Sequence, residues 1–312
     1  MALSNRKYWN KRLKTRFRAV DDLETELSRY YATAYEAIYK DYTNLLKPYT
    51  NGKEIDFRKL KLDLESKVSN NYALNRQRAL LSKIETLFND IGATEVSSME
   101  AVLMNNYRTN YYETLFTLEK ELGKQVNFSL LSPARLRQVI KTKWSADGVE
   151  FSSRIWKDKV LLNQELRKLI TESISTGRSP LSTAVLLKNA TNNTLYCSKR
   201  IIRTETMAII TESDAAAYEE LGIAKYEIVA AFDSRTSKVC QRQDGKVHLL
   251  SKLKIGTNAP PFHPNCRTVT IPVVEDTTPI RYAKDANGKG IKIPRNMTYK
   301  QFKEKHLIPQ EN

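Results

Sequence analysis

Cysteine is scarce: the 312 residues hold three, Cys197, Cys240 and Cys266. So few cannot staple a disulfide scaffold, and they suit a chain that folds in a reducing cytosol. No uninterrupted apolar run approaches the ~20 residues of a membrane helix, so no membrane span is expected. The N-terminal bases Arg6, Lys7, Lys11, Arg12, Lys14, Arg16 and Arg18 have no apolar stretch behind them, which excludes a secretory signal. Trp9 and the long mixed-charge helical pattern that follows fit an organelle transit peptide poorly. Internal repeats and low-complexity runs are missing. So are a glycine-rich phosphate loop, a paired-carboxylate motif and a serine-nucleophile elbow, which moves weight away from enzymes.

Acidic side chains are also in short supply, 35 against 51 Lys and Arg, for a formal charge of +16. Such a field draws polyanions across about 8 Å at physiological salt. Nucleic acid is the first partner to consider, with a merely solubilising surface as the alternative. The length suits two domains. A hydrophobic share of 41% and a charged share of 28% suit a chain rich in exposed helix.

Hydrophobic periodicity predicts one helix over residues 1–47. Its face holds Trp9, Leu13, Phe17, Val20, Leu23, Leu27, Tyr30, Ala34, Ile38, Tyr42 and Leu45, and Pro48 stops it. A second helical stretch runs from about Asp56 to Ile91, with Gly92 as its end. A third starts near Ser97, with Glu100 completing a capping box, and ends at Gly123. Ser132-Pro133 opens a short helix. Ser153 opens another, with Ile155, Leu162, Leu166, Leu169 and Ile174 inward and Gly177 as its close. Ser179-Pro180 opens the next, and a longer one covers Leu195 to Leu221, stopping at Gly222. Residues 225–232 alternate as a strand, and Asp244-Gly245 marks a turn between two short extended pieces. Residues 258–264 form a proline-rich loop and 267–274 a strand. Beyond Glu275 the chain is polar and basic and reads as a flexible arm, with one short helix at 297–307. The fold class is thus α+β and mostly α: a helical region over 1–150, a small α+β module over 151–275 and a basic tail over 276–312.

Cys240, His263 and Cys266 supply the residue types of a zinc site, three of the four ligands that a closed tetrahedron needs. His248 is one candidate for the fourth. The alternative is that both thiols pack as small apolar groups, or lie close to one another, while His263 hydrogen-bonds its loop. A thiol nucleophile at Cys266, beside Arg267 and near His263, is a separate option, but it lacks an orienting partner. Arg203-Thr204-Glu205 interrupts an apolar helical run. Ionic groups there call for partners, Asp233 being one candidate for Arg203. The first eighteen residues interleave bases with Tyr8, Trp9 and Phe17. They suit a protein groove, a DNA backbone or a plain amphipathic helix. The bases singled out for DNA are Arg12, Lys14, Arg16 and Arg18, with Lys289, Lys292 and Arg295 in the tail.

The blocks Arg203-Thr204-Glu205, Lys225-Tyr226-Glu227, Asp233-Ser234-Arg235-Thr236, Asp244-Gly245-Lys246 and His263-Pro264-Asn265-Cys266-Arg267 resemble, in order and spacing, the phage Mu F-like head morphogenesis family. The start at Lys7-Tyr8-Trp9-Asn10-Lys11-Arg12 and the tail at Asn296-Met297-Thr298-Tyr299 are also similar. The resemblance implies a non-enzymatic, low-copy minor head protein of a tailed phage. Its implied partners are the portal, a capsid or scaffolding protein and, without sequence preference, double-stranded DNA. Its implied place is the capsid interior near the portal, after assembly in the bacterial cytoplasm, and exit with the genome is open. Arg203, Glu205, Asp233, Thr236, Asp244, Gly245, His263, Pro264, Cys266 and Arg267 form the shared motif. Relatives often carry cysteine where this chain has Ser237 and Thr268, so a paired-cysteine metal site loses two ligands here and packing is expected to hold the loop. No cofactor is therefore expected. The rival is a metal- or thiol-dependent enzyme in the C-terminal module.

Overall fold

The computed structural model describes residues 6–52, 54–66, 71–123, 128, 130–273, 280–294 and 297–307. In chain order the elements are α1 (Arg6–Leu46), β1 (Thr50–Asn51), β2 (Glu54–Ile55), α2 (Phe57–Glu65), α3 (Tyr72–Leu122), α4 (Pro133–Ile140), α5 (Phe151–Thr176) and α6 (Pro180–Glu220). They continue with β3 (Lys225–Val229), α7 (Lys238–Gln243), β4 (Val247–Leu249), β5 (Val269–Pro272), β6 (Ile280–Lys284), β7 (Gly290–Pro294) and α8 (Tyr299–Phe302). The protein is mostly helical with small antiparallel sheets, as the hydrophobic periods imply. No helix among the described residues is long and apolar enough to cross a membrane.

Two compact units result, and neither is one continuous stretch. One comprises Met1–Asp21, Glu100–Glu150 and Arg200–Asn312, the other Asp22–Met99 and Phe151–Lys199. Division into consecutive blocks does not describe them, because α1, α3 and α6 each contribute residues to both.

The second unit is a helical core. Tyr31, Ile38, Tyr42 and Leu45 of α1 pack with Ile84 and Phe88 of α3, Leu162, Leu166 and Ile170 of α5, and Leu187 of α6. Tyr31 rather than Tyr30 faces inward, at 1% against 38% exposure. A period of 3.6 residues puts the step after Leu27 four residues on, which corrects the expected stripe. Gly92 does not end a helix: α3 runs through it and through Ser97. A Cβ at position 92 would lie 2.9 Å from the Trp156 ring, so the glycine serves close approach of α5 to α3. Likewise α6 is continuous from Pro180 through Leu195. The stops at Gly177 and Gly222 do hold. Both glycines have positive φ, and the residue after each returns its N–H to the carbonyl five back, Arg178 to Ser173 and Ile223 to Tyr218, both at 2.9 Å.

In the first unit β3 is the middle strand of a three-stranded antiparallel sheet ordered β4-β3-β5. Val229, Val269 and Ile271 of that sheet pack on Met207 and Ile210 of α6 and on Trp9 of α1. A second cluster joins Ala230, Phe232, Cys240 and Cys266 to Ala283, Ile293 and Phe302. Ala283 and Ile293 belong to the segment expected as a flexible arm, and Phe302 to the short helix expected at 297–307. Residues 280–294 instead form a hairpin with Ile280 opposite Pro294, and Thr298 caps α8 with Gln301 in a capping box. Few apolar residues suffice there because they meet a core that the turn after β3, helix α7 and the loop before β5 supply. The piece before Asp244-Gly245 is the helix α7, not an extended strand.

Candidate functional site

The turn after β3 is organised by Asp233. Its carboxylate accepts from the Arg235 N–H at 3.0 Å, while its own N–H donates to Thr236 Oγ1 at 3.2 Å. The Thr236 hydroxyl donates back to the Ala231 carbonyl. Arg267, two residues before β5, grips the same carboxylate with two nitrogens at 2.6 and 2.8 Å. Burial alone would raise the Asp233 pKa, but the guanidinium hydrogen bonds outweigh it and hold the carboxyl below its ordinary value. Ser237 then caps α7 by accepting from the Cys240 N–H at 3.2 Å. Asp244 accepts from the Ala230 N–H at 2.8 Å, and Gly245, at φ +75°, donates to the Ile228 carbonyl at 2.8 Å. These bonds return the chain from α7 to the sheet.

The three residues of the α6 block tie three different segments. Arg203 pairs with Asp21 at 2.6 Å and lies over the Phe17 ring. Its partner is therefore not Asp233, which Arg267 occupies. Thr204 Oγ1 accepts from the Asn265 N–H at 3.1 Å, and Glu205 accepts from the Trp144 indole at 2.7 Å.

These ties bring Cys240, His263 and Cys266 together. Cys240 Sγ lies 3.1 Å from His263 Nε2 and 3.6 Å from Cys266 Sγ. Both thiols are buried, at 3% and 1% exposure, while His263 is half-buried and Pro264 exposed. The neighbouring thiol and burial push Cys240 well up. The hydrogen bond from Cys240, opposed by burial and aided by bonds from the Phe262 and Thr268 backbone, brings Cys266 down to about 6. The three ligand atoms all lie within 4.8 Å of one another, close enough for one metal ion to reach all three. His248 is not among them. It stands on β4 opposite Tyr226, with the two rings 5.8 Å apart.

The bases singled out for DNA divide. Arg12 and Arg16 are each 6% exposed. Arg12 donates to Asn110 Oδ1 at 2.7 Å and to Thr114, and it stands 3.6 Å from the Asp214 carboxylate, while Arg16 pairs with Glu113. Their burial and internal partners withdraw both from phosphate contact. Lys14, Arg18, Lys289 and Lys292 are exposed, and Arg295 lies outside the described residues. A group not singled out beforehand surrounds α7: Arg235, Lys238, Arg242 and Lys246 are all exposed, and none has a carboxylate in salt-bridge range among the described residues. The i, i+4 spacing of Lys238 and Arg242 was the available signal. Lys159 was also missed, although it sits between Ile155 and Leu162 on the inward face of α5.

Residues 164–271, about a third of the chain, match the family model described as Phage Mu protein F like protein. The match starts halfway along α5 and runs into β5, so it contains the whole Asp233–Arg267 motif. No curated protein and no solved structure matches.

Proposed function

We propose, from the membership of residues 164–271 in the phage Mu protein F-like family, that the chain is a minor head protein. It acts in head morphogenesis beside the portal and the packaged DNA, in low copy, and does so without catalysis. The family match carries this reading. The burial of both motif thiols supports the last part, since a nucleophile needs a face open to substrate.

DNA contact rests on charge. Phosphate binding needs cations that are exposed and free of internal acids, and Lys14, Arg18, Lys289, Lys292 and the group around α7 meet the first condition. Each phosphate neutralised contributes about 0.9 to the slope of log affinity on log salt. A titration of the full chain on double-stranded DNA is expected to show sequence-independent binding that weakens steeply with salt. Replacing Arg235, Lys238, Arg242 and Lys246 together by glutamine is expected to flatten that slope by about 3–4. Absence of binding even at low salt removes the DNA half of the reading. The portal half stands on co-purification with the cognate portal protein, and failure of that pull-down removes it.

A further inference from the structure

The loop that carries His263 and Cys266 is built so that both face Cys240. The Cys266 N–H closes a turn onto the His263 carbonyl at 3.2 Å, and Asn265 takes the left-handed conformation at φ +59°. That conformation is uncommon for a residue other than glycine and is sustained here by the bond from Asn265 N–H to Thr204. The imidazole is oriented as well. His263 Nδ1 lies 2.8 Å from the Pro264 carbonyl oxygen. A carbonyl only accepts, so Nδ1 carries the hydrogen and Nε2 presents a lone pair toward Cys240. Fixing one ring nitrogen on a carbonyl so that the other is free to coordinate is the usual support of a metal-bound histidine.

The spacing suits a soft divalent cation. Bonds of ~2.3 Å to sulfur and ~2.0 Å to nitrogen give tetrahedral edges of about 3.8 Å between sulfurs and about 3.5 Å between sulfur and nitrogen. The observed 3.6 and 3.1 Å fall a few tenths short, so small outward shifts of one sulfur and the ring would seat the ion. A disulfide needs ~2.05 Å and lies much farther from the observed separation. Asp233, Arg267, Ser237 and Asp244 hold the supporting backbone through bonds of their own, so the three ligands are placed before any ion arrives.

We propose that Cys240, His263 and Cys266 bind one zinc-class cation, with solvent as the fourth ligand on the half-buried His263 side. The cation clamps α7 to the loop before β5. Because Ala283, Ile293 and Phe302 pack in the same cluster as the two cysteines, the ion also steadies the hairpin of β6 and β7. This inference stands apart from the head-protein reading and survives if that reading fails.

The test uses the full chain, purified under reductant, stripped with a chelator and titrated with cobalt(II). The expected result is a sulfur-to-cobalt charge-transfer band that saturates at one equivalent and is displaced by zinc. Backbone hydrogen exchange in residues 280–294 is expected to slow on zinc addition. Cys266→Ser and His263→Ala are each expected to weaken zinc binding by more than the roughly 10–100-fold that loss of an outer-shell partner costs. No charge-transfer band with the reduced wild-type chain overturns the proposal without recourse to variants. Recovery of Cys240 and Cys266 as a disulfide, with no metal uptake after reduction, overturns it equally. Zinc binding that both variants leave unchanged places the ion elsewhere and also overturns it.

Discussion

Two buried clusters, one in each unit, are held together by different means. Among the described residues, the cluster of the helical unit holds nineteen buried apolar side chains and the cluster around Cys240 and Cys266 seven. At a few kcal/mol per fully buried side chain, the first can carry an expensive polar group and the second has little to spare. The helical unit does carry one. Lys159 of α5, 2% exposed, pairs with Glu95 at 2.6 Å, touches the Tyr31 hydroxyl and lies 3.3 Å from Ser198. Burial and the Glu95 charge together push the Tyr31 hydroxyl far up, so it stays neutral in this network. The cysteine cluster is instead surrounded by short hydrogen-bonded turns, the bidentate Asp233–Arg267 pair and three residues of metal-ligating type. The helical cluster surrounds a buried ion pair, and the cysteine cluster is tied by hydrogen-bonded turns at its edge.

Breaking the helical unit at its polar centre gives the largest expected effect. Lys159→Ala leaves Glu95 buried without its cation and should cost about 3–5 kcal/mol in urea unfolding, while Lys159→Met with Glu95→Leu should be close to neutral or stabilising. A loss of similar size in the double variant would mean that the pair itself, not its imbalance, stabilises the core. Gly92→Val places atoms where the Trp156 ring already lies and should cost about 1–3 kcal/mol by overpacking. An unchanged thermal midpoint would show that α5 can retreat. Arg267→Ala removes two charge-assisted bonds beside the small core. Arg267 is about a third exposed, so solvent screening reduces the expected cost to about 1–2 kcal/mol. Its signature should be faster hydrogen exchange in residues 230–245, with α5 unaffected.

The smallest effect is a pH dependence in the first unit. Burial, with Glu219 adding repulsion, raises the Glu212 pKa. A carboxyl raised on folding favours the native state most below the unfolded pKa, ~4.3, and that advantage is lost as pH rises through the folded value. Glu212→Gln should therefore raise the thermal midpoint at pH 8 and leave it nearly unchanged at pH 4. A gain of equal size at both would assign the effect to packing.

Much of this was legible in the chain itself. The helix ends at Gly123, Gly177 and Gly222 and the start at Ser132-Pro133 are chemical signals that act locally, and the structure uses them. Gly92 and Ser97 carry the same letters as a stop and a start, but neighbouring helices override them. The alternating residues of β3 were readable, while the hairpin at 280–294 was hidden by polar composition because its few apolar residues borrow a core from elsewhere. Cys240, His263 and Cys266 stood out as residue types, yet only the fold sets their separations. Arg12 and Arg16 were misjudged because a count of charge cannot tell a solvated cation from one paired with Glu113 or Asp214.

The proposed place of the chain in a phage head is tested most directly by quantitative mass spectrometry of purified particles. Peptides of this chain are expected in DNA-filled heads at a few copies per portal. Intact, infectious particles wholly without the polypeptide would contradict it.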